Sequence, residues 1–206
     1  HLTGMLNGVR GYENHTEYME RSLAVVDRME KLVKELLYVS KAEGTQKSKY
    51  KIVDFAEVFR VQIAAVSDLL EEKKQHIEVN IPDRLYCEVE QVQMERAIQN
   101  ILVNAIRYSP SNELIHVTLA EIHGTIRGEI ENTGVHVSGD AIPHLFEAFY
   151  RADASRNRNT GGTGLGLYIV RKIMEMHHAK YGISNTSKGV LFWFELSCKQ
   201  PIDNSI

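Results

Sequence analysis

Between residues 17 and 43 the chain carries an apolar stripe that nothing close by in the sequence is long enough to cover. Tyr18, Ser22, Val25, Met29, Leu32, Leu36 and Val39 alternate at spacings of four and three, which is a heptad seam. Val26, Val33 and Leu37 widen it into the broad face of a bundle helix. Asn14 and Glu17 have capping-box spacing at its start, and Gly44 is placed to end it. Glu30 with Lys34, and Lys31 with Glu35, sit at i,i+4 on outer faces. Residues 2 to 9 add only two further turns, so the stripe either packs on the domain that follows or takes a partner from elsewhere. The expectation is the second: half of a helical hairpin, completed in part by a second copy of the chain. The chain starts at His1 without a methionine and runs straight into this helix, so it is expected to be a piece of a longer protein.

From residue 45 the pattern is mixed. Asp54 and Glu57 repeat the capping-box spacing ahead of Phe55, Phe59, Ile63, Val66 and Leu70, predicting one helix to about Lys74. Ile77, Val79 and Ile81 alternate as a strand until Pro82, and a helix covers roughly Glu90 to Tyr108, stopping at Ser109-Pro110. Ile115, Val117 and Leu119 share one strand face, as do Ile126, Gly128 and Ile130 after a turn at His123-Gly124. A further helix ends near His178, and two last strands cover 181–185 and 190–196. Helices and strands that arrive without strict β-α-β alternation predict an α/β (α+β) sandwich with a mixed or antiparallel sheet covered by helices. The domains are thus expected at 1–44 and 45–206.

Composition narrows the function classes. At 206 residues, 43% hydrophobic and 25% charged, the chain is of ordinary globular make-up, and no run approaches the roughly 20 apolar residues of a membrane span. A net charge of −3 gives no basic footprint, so no nucleic-acid partner is expected. Cys87 and Cys198 cannot form a disulfide scaffold, and no Cys/His spacing reads as a zinc site, so a reducing, cytoplasmic setting is expected.

Three stretches carry chemistry. On the helix from Glu90 to Tyr108, the side chains of Gln93, Arg96, Asn100, Asn104 and Arg107 fall within an arc of about 80°. Met94, Ala97, Ile98, Ile101, Leu102 and Ala105 occupy the other side. A solvated face usually carries Lys and Glu rather than two Asn, which are mediocre helix formers. Asn amide oxygens are ligands Mg²⁺ accepts, and Arg107 has the reach of a phosphate, although a plain polar stripe fits the pattern too. Asn132 continues the parity of Ile126, Gly128 and Ile130, so its amide points inward, as a turn asparagine or as a ligand contact. Gly161-Gly162-Thr163-Gly164-Leu165-Gly166-Leu167 then runs into an amphipathic helix, where backbone N–H groups can meet an anion. It is neither G-x-x-x-x-G-K-[ST] nor G-x-G-x-x-G. Arg156 and Arg158 stand just upstream.

Asn100 to Pro110 (N-I-L-V-N-A-I-R-Y-S-P), Asn132-Thr133-Gly134, Leu145 to Arg151 (L-F-E-A-F-Y-R) and Gly161 to Leu167 resemble, in order, the N, G1, F and G2 boxes of sensor histidine kinases. The ending from Asn185 to Leu196 resembles most those of vancomycin-resistance operons. The resemblance implies the Bergerat ATP-binding fold, shared with certain chaperones and topoisomerases, preceded by a long bundle-type helix. It implies ATP and Mg²⁺ as cofactors, with Asn104 as the metal ligand, Asn100 supporting it, and Arg107 on phosphate. Tyr108 would stack near the adenine, Asn132 and Gly134 would form the base pocket, and Gly162, Thr163, Gly164, Leu165, Gly166 and Leu167 would shape a lid and phosphate cradle. Phe146 and Phe149 would anchor that lid or serve as core aromatics. Residues 154 to 163 are expected to order only around nucleotide. The helix from Glu17 to Glu43 resembles the second arm of the dimerisation and histidine-phosphotransfer hairpin.

Two departures stand out. The related kinases carry Asp-x-Gly-x-Gly where this chain has Asn132 and His136, and an amide accepts a hydrogen bond without charge assistance. The phosphoacceptor His-Glu-x-x-Thr-Pro occurs nowhere in the sequence, so this piece is not expected to phosphorylate itself. The resemblance implies transfer of the ATP γ-phosphoryl to a histidine and onward to a response-regulator aspartate, in the cytoplasmic part of a membrane-anchored receptor. The alternative expectation is a non-catalytic, nucleotide-gated interaction module. His177 and His178 fall at a helix C-terminus, where a cation suits the dipole.

Overall fold

The computed structural model describes residues 15–42, 50–152 and 162–197. Asn14, Gly44, Arg156, Arg158, Gly161, Cys198 and most of the 154–163 stretch lie outside them, as do the side chains of Lys31 and Val39. The chain divides into two compact units, residues 1–46 and 47–206.

In the first unit, α1 (His15–Ala42) is one continuous helix. Glu30 pairs with Lys34 at 2.6 Å, and Arg21 pairs with Glu17. Val25, Val26, Met29, Val33, Leu36 and Leu37 are each about half exposed or more.

The second unit is a two-layer sandwich. Its main sheet has the order β2-β4-β5-β7-β6, from β2 (His76–Asn80), β4 (Leu114–Ile122), β5 (Thr125–Thr133), β6 (Lys180–Asn185) and β7 (Gly189–Ser197). β2 runs parallel to β4, and every other neighbour is antiparallel. Period-two alternation sorts the residues: Ile115, Val117, Leu119, Ile126, Ile130, Phe192, Phe194 and Leu196 are buried on one face. The opposite face is polar, with Arg127 held by Glu129 and Glu195 at 2.7 Å each and lying over the Trp193 ring. Gly128 is required on the buried face, because a Cβ there would stand 2.3 Å from the Phe194 ring of the neighbouring strand.

Helices cover the apolar face. α4 (Gln91–Tyr108) buries Met94, Ala97, Ile98, Ile101, Leu102, Ala105 and Ile106, the face expected from its periodicity with one residue added. Glu90 caps it by accepting from the Gln93 N–H at 2.8 Å. α5 (Gly166–Met176) packs beside α4 and buries Ile169, Val170, Ile173 and Met174.

Two sequence expectations are corrected here. The helix expected to run to Lys74 is broken into α2 (Phe55–Ala64) and α3 (Ser67–Glu72). At the break Val66 leaves helical geometry (ψ 8°), its N–H closing a three-residue turn on Ile63. Around the break Val66 and Leu70 are both buried, and Lys73 and Gln75 reach the end of α4. In addition, β1 (Lys51–Asp54) and β3 (Tyr86–Val89), not anticipated, form a separate antiparallel pair. Asp54 joins that pair to α2, accepting from the Glu57 and Leu85 N–H groups.

Candidate functional site

α4 and α5 lie antiparallel, and they are fastened differently at their two ends. At one end, the Glu90 N–H before α4 donates to His177 Nε2 after α5 at 3.1 Å, and His177 Nδ1–H donates to the Ile173 carbonyl at 2.8 Å. Both ring nitrogens are used in the neutral form, and burial pushes the imidazole pKa below its ordinary value, with a backbone hydrogen bond and the Glu90 charge opposing. The expected helix-dipole cation at His177 is therefore corrected: the ring is a neutral clasp, with Tyr50 against it at 5.2 Å.

At the other end the polar face of α4 meets the glycines. The Asn100 amide donates to the Arg96 carbonyl at 3.0 Å, and its Oδ1 lies 3.4 Å from where a Cβ on Gly166 would stand. Arg107 Nη1 and Tyr108 Oη lie 3.2 and 3.7 Å from the corresponding point on Gly162. Arg151 approaches the same residue, its Nη1 3.4 Å from the Gly162 carbonyl. Gly164 has φ +76°, and a Cβ there would press on the Phe149 backbone at 2.8 Å, while the Phe149 N–H donates to the Gly164 carbonyl at 3.0 Å. The loop thus rests on the Phe149 backbone, not its ring, which is exposed. Phe146 is the aromatic that packs inward, edge-on to Tyr181. Thr163 Oγ1 accepts from the Leu165 N–H, Leu165 is fully buried, and Leu167 is half-buried. No side chain caps α5, so its first N–H groups stay open to an anion.

Half-buried Asn104 makes no side-chain hydrogen bond among the described residues. Nor do those residues hold a cluster of three His, Cys, Asp or Glu side chains fit for a metal. A metal beside Asn104 would have few protein oxygens and would need phosphate and water to complete its shell, a donor set that suits Mg²⁺. A depression of about 310 Å³ touching Asp54, Val61 and Glu95 lies at the opposite end of α4 from Arg107 and does not belong to this constellation.

On the sheet, Asn132 is only 7% exposed, flanked in register by Ile115 and Val190, and its buried Nδ2 has no partner. Next to it Ser109 Oγ donates to the Thr133 carbonyl (2.8 Å), and Thr133 Oγ1 donates to Glu113 (2.6 Å) while accepting from the Leu114 N–H (3.0 Å). Gly134 has φ +79°, and a Cβ there would collide with the Glu113 side chain.

Residues 89–200, more than half the chain, match the family described as histidine kinase-, DNA gyrase B- and HSP90-like ATPase. The chain belongs to that ATPase family. Among curated relatives, the sensor protein VanSB of Enterococcus faecalis is 30% identical over 196 residues, covering 95% of this chain and 44% of VanSB. The chain therefore spans less than half the length of that relative. Among solved structures, full-length ShkA in complex with AMPPNP superposes with a TM-score of 0.75 at 22% identity, over 90% of this chain and 39% of ShkA. Histidine kinase ThkA in complex with the response regulator protein TrrA gives 0.74 at 22%, over 96% and 55%. The mixed sheet covered by helices is thus the histidine kinase catalytic-domain fold.

Within this ATPase fold several contacts were not anticipated from sequence. Lys73 Nζ and Gln75 Nε2 donate to carbonyls at and just beyond the end of α4, Lys73 to Ile106, Arg107 and Ser109, and Gln75 to Ile106, Ser109 and Pro110. Burial, and then the Arg107 charge, lower the Lys73 pKa from its usual value. His136 donates from Nε2 to the Thr186 carbonyl (2.9 Å), and Asn185 bonds both backbone groups of Val137. The chain after Gly134 is thereby stitched to the β6–β7 turn by the residue that departs from the glycine pattern. For Arg151 the only sequence signal was its place at the end of L-F-E-A-F-Y-R.

Proposed function

We propose that the second unit is the MgATP-binding, phosphoryl-transferring unit of a two-component sensor histidine kinase. The observation that carries this reading is the Arg107 guanidinium beneath the side-chain-free Gly162, next to the uncapped start of α5. A cation, a bare backbone and open N–H groups converge there as a triphosphate requires. In this reading Arg107, aided by Arg151, and the backbone of Gly162, Thr163, Gly164, Leu165, Gly166 and Leu167 hold phosphate. Tyr108 lines the path of the nucleotide, and Asn132 with Gly134 meets the base. Asn104 would hold Mg²⁺ with Asn100 beside it, and the bound ion would supply charge neutralisation on the phosphates. Phosphoryl transfer asks a protein chiefly for position and compensating charge, and these residues supply both. An Asn at position 100 cannot act as a general base toward water, so little ATP hydrolysis is expected without an acceptor.

Residues 1–44, within the first unit, belong in this reading to the dimerisation hairpin of the parent protein. The half-exposed apolar residues of α1 support that, and the partner would be a second copy of the chain. The eventual acceptor is an aspartate of a response regulator, and the setting is the cytoplasmic part of a membrane-anchored receptor. No helix among the described residues is long and apolar enough to cross a membrane.

The test is to mix the chain with γ-labelled ATP, Mg²⁺ and a separate hairpin that retains its phosphoacceptor histidine. Label on that histidine, lost in Arg107→Ala, is the expected result. Nucleotide binding without transfer would instead mark a nucleotide-gated interaction module.

A further inference from the structure

Asn132 is the one base-pocket side chain that is almost wholly buried and yet has an unused polar end. Its exposure is 7%, and the buried Nδ2 has no hydrogen-bond partner. The sheet cannot provide one. The residues directly across on both neighbouring strands are Ile115 and Val190, which are apolar and buried. The adjacent Thr133 hydroxyl is already engaged, since it donates to Glu113 at 2.6 Å. The parity of β5 puts the amide on the face that also carries Ile126 and Ile130, beneath the helices. A buried amide that no protein group satisfies calls for a partner from outside the chain, and a base seated against it supplies one.

What such an amide can read follows from its chemistry. A primary amide carries an acceptor oxygen and a donor NH₂ on nearly isosteric arms, and half a turn about its last torsion exchanges them without altering charge. Nothing fixes that torsion here, because neither arm of Asn132 is hydrogen-bonded by the described residues. The six position of adenine is an amino group, a donor. The six position of guanine and of hypoxanthine is a carbonyl, an acceptor. A carboxylate in this place would accept from the first and repel the second, and that repulsion would do the excluding. The Asn132 amide has no charge with which to repel a carbonyl.

Resting on the reading of Asn132 as the base contact, we infer that this site accepts 6-oxopurine nucleotides as well as adenine nucleotides. The amide presents its oxygen to the adenine amino group and its Nδ2 to the carbonyl of guanine or hypoxanthine. Asn132 is then the specificity-determining residue, and it sets a relaxed choice of base.

The experiment measures binding of ADP, GDP and IDP to the full chain by calorimetry, at one Mg²⁺ and salt concentration, for the wild type and for Asn132→Asp. In the wild type, the GDP and IDP dissociation constants are expected within ten-fold of that for ADP. In Asn132→Asp the gap in favour of ADP is expected to widen by at least ten-fold, the scale of one hydrogen bond lost to the mismatched base. A wild type that already prefers ADP by more than ten-fold overturns the inference, and so does a gap left unchanged by the Asp. Should the buried carboxylate prevent folding, the wild-type ratio decides alone. ADP binding with GDP and IDP excluded refutes the base choice and leaves the nucleotide site standing. Failure of all three to bind refutes the site itself.

Discussion

Replacing His177 by glutamine separates a neutral clasp from a charged one. The imidazole accepts from the Glu90 N–H at 3.1 Å and donates to the Ile173 carbonyl at 2.8 Å, so a proton on Nε2 would set two donors against each other. Burial lowers the folded-state pKa, the neighbouring His178 adds slightly, and the backbone bond and Glu90 oppose. The ring's stabilising contribution is therefore complete above the unfolded histidine value near 6.5 and falls as pH drops below it, because the unfolded chain takes a proton that the folded ring resists. One pH unit below that value, a single histidine can withdraw at most about 1.4 kcal/mol. The ring is only partly buried, so about 0.5–1 kcal/mol is expected at pH 5.5. Urea unfolding from pH 7.5 to 5.5 is the assay. Wild type should lose that amount relative to His177→Gln, which should itself be about 1 kcal/mol less stable at pH 7.5 through weakening of the two bonds. Parallel stability curves for the two proteins would refute the neutral clasp.

Asn104→Ala should abolish the tightening of ATP binding by Mg²⁺, since in the proposed site it removes one of few protein oxygens; calorimetry with and without the metal checks this, and an unchanged magnesium dependence would refute the assignment of Asn104 to the metal. Gly164→Ala has to hold φ +76° with a Cβ 2.8 Å from the Phe149 backbone, costing about 1–2 kcal/mol for the backbone alone; the ATP dissociation constant should rise about ten-fold or more while far-UV circular dichroism stays unchanged. Gly128→Ala places a methyl 2.3 Å from the Phe194 ring, so urea unfolding should report about 1–3 kcal/mol of lost stability, with nucleotide affinity retained wherever the protein is folded.

What the sequence made legible were features that repeat along one element. The apolar and polar faces of α4 could be read from a 3.6-residue period, and the inward direction of Asn132 from a period of two. The core strands β4, β5 and β7 were legible for the same reason, since each alternates cleanly. Contacts made between distant segments were not. Lys73 is an ordinary surface lysine until its ammonium is seen across the last carbonyls of α4, and His177 reads as a dipole-matched cation until Glu90 meets it from 87 residues away. The break at Val66 was hidden because the apolar spacing on either side suits one continuous helix. β1 and β3 are four residues each, too short to show a pattern. Phe149 misled by its type: its backbone, not its ring, supports the glycine loop.

The strand order also governs when the domain can come into being during synthesis. β7 lies between β5 and β6 and is the last of the five to be made. Until it emerges from the ribosome, β4 and β5 stand as a hairpin with one flank bare, and β6 has no neighbour. At about 5–20 residues per second, the interval between completing β5 and beginning β7 is on the order of several seconds. During that time the inner face of β5 exposes Ile126 and Ile130 beside an unpaired edge, a combination that invites pairing with other chains. α4 and α5 both precede β7 and can shield that face provisionally, but the sheet closes only when Val190, Phe192, Phe194 and Leu196 arrive. A nascent chain stalled before residue 189 is thus an aggregation hazard for the cell that makes it, and release of the last strand commits the whole domain at once.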